Sequence, residues 1–210
     1  MNRLISRIGA ALVTVTVFLF AVFLIVDFTF GSYFVCMFLP MGYIMMAAGL
    51  QHEAGDERKV AANIGMVFSA IYAVLILLVY FAQTTSVHLG VLNEDALAIL
   101  DFRRAGLIFN YDLLGYGMMA LSTFFIGLSM QADSKADRWL KALMMIHGVF
   151  FIGCFLMPMT GVFTGMSDGD TSSGGVIALV LWCVYFLPIG ILAFRHFGNG
   201  SFPCENERNR

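Results

Sequence analysis

Six long apolar runs, separated by polar interruptions, occupy 8–30, 33–50, 60–81, 107–130, 139–159 and 176–194. A hydrocarbon core about 30 Å thick takes about 20 helical residues to cross, and each run is close to that length. The runs are continuous rather than alternating, so they do not have the pattern of a β-barrel. They predict an all-α membrane protein: a bundle of six transmembrane helices over 1–197, followed by a polar, disordered tail over 198–210. The first run is too long for a secretory leader and carries no small-residue cleavage site, so it reads as a retained span.

The interruptions differ in kind. Gly31 and Ser32 suggest a tight turn between the first two runs. The third connection, 83–106, is long. In it Asn93 precedes Glu94 and Asp95, the signature of a capped helix start, and Leu97, Leu100 and Arg104 recur at helical spacing. A short helix lying on the external membrane surface between spans three and four is expected there. The fifth connection, 160–175, holds Asp168, Asp170, Ser172 and several glycines, and reads as a mobile external loop.

Charge sets the orientation. With both termini in the cytoplasm, ten of the 12 Lys and Arg fall on the inner side, leaving Arg103 and Arg104 outside. Inner loops carry just such an excess, so both ends are expected in the cytoplasm. Composition agrees: 60% of residues are hydrophobic and 12% are charged, against about 25% charged in soluble domains. The lipid bilayer is thus the first partner. A net charge of −2 points away from nucleic acid. The cysteines Cys36, Cys154, Cys183 and Cys204 avoid the expected external loops, so no disulfide framework is expected.

Polar groups inside the runs carry the candidate chemistry, because they are costly in lipid. Asp112 lies about 8 Å inside the fourth run at the helical rise per residue. Asn110 precedes it, and Tyr116 follows four residues on, over the same face. Asp27, Tyr80, Gln83 and Thr160 sit at the outer ends of other runs. Together Asp112, Asn110, Tyr116, Asp27 and Gln83 would line an outward-facing pocket for a small polar ligand or a cation. Hydration at headgroup depth, or pairing of Asp112 with Arg103 or Arg104, is the alternative.

No metal site is expected. The residues nearest to one are His147, Met144 and Cys154 on the fifth run, a soft set of the kind that suits Cu(I). His52 and Glu53 begin a zinc-peptidase pattern, but position 56 is Asp instead of the second His. No nucleophile elbow or P-loop is present, and no cofactor is indicated.

The stretches VYFAQTT at 79–85 and NYDLLGYG at 110–117 resemble segments of small uncharacterised bacterial six-span membrane proteins. The resemblance implies a bacterial-type inner membrane and carries no activity with it. Size and span count are also similar to the substrate-binding subunits of energy-coupling-factor vitamin transporters, a likeness of architecture alone. The leading expectation is therefore a non-enzymatic transporter, transporter subunit or sensor with a small-ligand pocket. An accessory protein docking a membrane partner, or an intramembrane enzyme, are the alternatives.

Overall fold

The computed structural model describes residues 1–163 and 173–199, with side chains of the last helix described from 176 to 198. Most of the loop expected at 160–175, and residues 200–210 of the expected tail with Cys204, lie outside the described residues; 198 and 199 continue the last helix. Among those described the chain is helical, with no strands. Its helices are α1 (Asn2–Ile25), α2 (Thr29–Cys36), α3 (Phe38–His52), α4 (Lys59–Ala82), α5 (Glu94–Leu100), α6 (Leu107–Ser129), α7 (Lys135–His147), α8 (Phe150–Leu156) and α9 (Ser173–Asn199). They build six stretches long and apolar enough to cross a membrane.

Two of the stretches are jointed. The second divides at Met37, between α2 and α3. Pro40 lies in the first turn of α3, where its missing N–H leaves the carbonyl of Cys36 without its helical donor. The fifth divides at Gly148 and Val149, between α7 and α8. Pro188, by contrast, is accommodated inside the continuous α9.

The first turn falls earlier than the pattern predicts. Gly31 and Ser32 are inside α2, and the chain reverses at 26–28. Asp27 adopts a left-handed φ of 55° there, a conformation that Asp tolerates better than bulky residues do. The Phe28 N–H closes on the Phe23 carbonyl at 2.8 Å, and the two rings meet edge-on. An apolar run straight through 20–30 hides this break, because Phe28 and Phe30 serve a turn as readily as a span.

The helix after Asn93 does form, and the Asn93 side chain accepts the Ala96 N–H at 2.9 Å. It stops at Leu100, one turn earlier than the spacing to Arg104 implied. Asp101 is extended and caps a separate 3₁₀ turn, Phe102–Arg104.

The spans form a ring in sequence order. Span one (α1) packs on span two (α3), α3 on α4, α4 on α6, and α6 on α7 and α8; α9 closes the ring on α1 and α7. The fourth span is the most enclosed, with 61% of its apolar window buried, and the fifth the least, with 11%. Span four therefore supplies the interior, and span five is peripheral. Outward-facing residues such as Phe18, Val74, Leu78, Leu181 and Val184 are large and apolar, compatible with a bilayer around the ring.

Close approach sets the inner radius. A Cβ on Gly9 would stand 2.5 Å from Met45 Cβ, and one on Gly42 would stand 3.0 Å from the Gly9 carbonyl oxygen. These two glycines let α1 and α3 touch backbone to backbone, a usual means of helix association in membranes.

Candidate ligand-binding site

Asp112 faces the interior of the ring and is 4% exposed. The reason is local: in α6 the buried positions Ile108, Asp112, Gly115 and Met119 recur at three to four residues and form the stripe turned toward α4. Gly115 allows the approach, since a Cβ there would press on Ile76. A carboxyl group is thereby carried into the bundle.

Around it stand phenols and a thiol from two other elements, α4 and α2, and a phenol from α6 itself. The Tyr80 hydroxyl is turned toward Asp112, Tyr116 and the Cys36 thiol. Tyr72 and Tyr116 pack with ring centroids 5.9 Å apart, and Tyr116 meets Trp182 edge-on at 5.2 Å. The Oδ1 atom of Asp112 and the hydroxyls of Tyr72 and Tyr116 are buried without a hydrogen-bond partner. Buried polar atoms are satisfied in the great majority of cases, so three orphans in one cluster call for an explanation. Neither nearby arginine answers the carboxyl group. Arg103 grips Asp101 through its Nε and Nη2, at 3.2 and 3.0 Å, and Arg104 Nη2 holds Glu94 at 2.9 Å.

A lid separates this cluster from the end of the bundle that carries α5. The Phe102 ring contacts Tyr33, Tyr80 and Phe109, at centroid distances of 5.8, 6.5 and 5.1 Å. Gln83, 2% exposed, bolts the lid down: its Nε2 donates to the Leu100 carbonyl at 2.7 Å, and its Oε1 accepts the Phe102 N–H at 3.1 Å. Gln83 opens a short π-helical turn, Gln83–Val87, an irregularity that often accompanies function. Above the lid lies a polar cleft of about 270 Å³ lined by Thr29, Tyr33, Gln83, His88, Asp101 and Arg103. Burial opposes charge on Asp101, but the Arg103 guanidinium and backbone N–H prevail and hold its carboxyl below the ordinary carboxylate range.

The five expected pocket residues thus take different places. Asp112 and Tyr116 share the buried cluster. Gln83 is in the lid above them, its amide occupied by backbone. Asn110 is exposed on α6, and Asp27 is exposed in the first turn, so neither joins the cluster. Tyr80, expected at the outer end of its run, joins the cluster, whereas Tyr72 and Cys36 were missed by sequence reading. Tyr72 and Tyr80 lie eight residues apart on one helical face, but a tyrosine pair in an apolar run is ordinary until a carboxyl group is seen opposite.

His147 has a separate and complete set of partners. Trp182 Nε1 donates to its Nε2 at 3.1 Å, which leaves Nδ1 as the protonated nitrogen, 2.8 Å from Thr123 Oγ1. The Thr123 hydroxyl in turn donates to the Ala120 carbonyl. Both ring nitrogens are engaged, so no lone pair is left for a metal. Met144 is buried near Gly127, while Cys154 lies near Gly117. Among the described residues no group of three or more His, Cys, Asp or Glu has metal-binding geometry.

The chain matches no protein-family model, no curated protein and no solved structure, so it is the geometry around Asp112 that carries the functional reading.

Proposed function

We propose that this multi-pass membrane protein binds a small cation, an alkali ion or a protonated amine, at Asp112, admitted from the outer side past the Phe102 lid. The observation that carries the reading is the cluster of unpartnered buried polar atoms: Asp112 Oδ1, Tyr72 Oη and Tyr116 Oη. An ionised carboxyl group taken out of water costs several kcal/mol unless a partner meets it. A bound cation supplies that partner. The phenol oxygens complete its shell, and the rings of Tyr72, Tyr80, Tyr116 and Trp182 favour a cation over their faces. Transport, or sensing of the same solute, is the role that fits a closed site beneath a removable lid.

The orientation belongs to the same proposal. The excess of Lys and Arg at one end of the bundle supports a cytoplasmic side for both termini. The lid, α5 and the polar cleft then face outward, with α5 lying at the membrane surface.

The test is ligand-dependent thermal stability of the purified chain in detergent, with sodium, potassium, ethylammonium and methylguanidinium as probes. A probe at about 100 times its Kd adds about 2.7 kcal/mol to wild-type stability. Asp112→Asn removes that gain. Absence of a shift with every probe, or an equal shift in the variant, refutes the reading.

A further inference from the structure

At the other end of the bundle His196, near the end of α9, lies between two carboxylates from two different spans. Its Nε2 is 2.7 Å from Glu53 Oε2, at the end of α3, and its Nδ1 is 2.7 Å from Asp137 Oδ1, in the first turn of α7. A carboxylate oxygen can only accept. Both ring nitrogens must therefore donate, and only the imidazolium has two N–H groups. The neutral ring would turn a lone pair toward one carboxylate, and that link would be lost.

The surroundings favour the charged ring. Asp137 is held in place by a capping box, its Oδ2 accepting from the Ser134 N–H and hydroxyl at 3.1 and 2.6 Å. From α1, Arg3 Nε lies 3.9 Å from Glu53 Oε1, and Arg7 lies over the Phe194 ring. His52, beside Glu53, is engaged by Asn2 at 3.2 Å. The charged groups around His196 are thus Glu53, Asp137, Arg3 and Arg7, with the two carboxylates nearest.

Position gives the bridge its consequence. The ring of spans closes where α7 meets α9, and span five is the least enclosed of the six. We propose that His196 is a protonation-dependent latch: as imidazolium it ties spans two, five and six together at this end, and loss of its proton breaks the Asp137 link, so that span five parts from span six at this end while the Trp182–His147 bond holds them together farther along. The latch is closed on the acid side and released as pH rises. It stands independently of what Asp112 binds.

The test uses the full chain in liposomes with Cys154 and Cys204 changed to serine, and spin labels on Lys135→Cys and Arg195→Cys to report the α7–α9 separation. Measurements at about pH 5.5 and about pH 8.5 bracket the ~6.5 of a free imidazole. The expected result is one short distance in acid and a second, longer population in alkali. His196→Gln, which cannot titrate, gives the same distribution at both values. A labelled chain with His196 intact whose distances ignore pH overturns the latch, as does a His196→Gln protein that keeps the pH response. Asp137→Ala, which removes this acceptor and leaves the Glu53 link and the Ser134 cap of the residue 137 N–H, must also lengthen the acid distance. An unchanged distance in that variant counts equally against the proposal.

Discussion

A single hydroxyl can separate the proposed cation binding from stability. Tyr116 Oη and Tyr72 Oη are buried and unpartnered, and an unsatisfied buried polar group costs about 1–3 kcal/mol. Tyr116→Phe and Tyr72→Phe should therefore leave the ligand-free protein as stable as wild type or more so, by up to about 1–3 kcal/mol. Affinity for the cation that stabilises wild type should fall in both. Thermal melts with and without that cation read both effects. Loss of stability in the ligand-free melt would show that these hydroxyls are structural. A residue taken from elsewhere makes the contrast. His147 is equally buried but fully bonded, so His147→Ala strands Trp182 Nε1 and opens a void, and should destabilise whether or not cation is present. In the sequence both groups are polar residues in apolar runs. Only their partners distinguish a satisfied group from an available one.

Between elements, the seams are set by glycines whose surroundings differ sharply. Gly9→Leu pushes its side chain into the Met45 Cβ and the Gly42 carbonyl, and overpacking of this kind costs about 1–3 kcal/mol. Gly153→Ala meets nothing closer than Met157 Sδ at 3.8 Å, and an alanine in a helix gains about 0.5–1 kcal/mol over glycine. Opposite shifts of melting temperature are expected from the two changes. The lid responds to acid. The Asp101 carboxyl lies below its ordinary range in the folded chain, so its stabilisation is present above about pH 3.9, the unfolded value, and is lost as pH falls through the folded value. Hydrogen exchange at the Phe102 and Arg103 amides, which donate to Gln83 and Asp101, should quicken relative to its intrinsic rate over that acid range. Asp101→Asn should show the fast exchange already at neutral pH. The start of α5 was legible beforehand because Asn93 caps its own helix through local bonds. Its end was not, since Asp101 stops it with a contact to Arg103 that spacing alone does not reveal.

For the whole molecule, the sequence by itself determined the six membrane-length helices, the excess of positive charge at one end and the presence of a carboxyl group within a span. Each of these is local. Hydropathy over 20 residues needs no neighbour to be read, and neither does the identity of residue 112. The tertiary structure decided which polar groups meet. The order of packing around the ring, with α4 against α6 and α9 closing on α1 and α7, brings Tyr72, Tyr80 and Cys36 to Asp112 and leaves Asn110 and Asp27 on the surface. It also places His196 between Glu53 and Asp137, residues 143 and 59 positions away in the chain. Side-chain facing depends on helix rotation and on which helix lies opposite. Glycine contacts, a joint at Met37 and an early turn at Asp27 settle these, through packing between segments far apart in sequence.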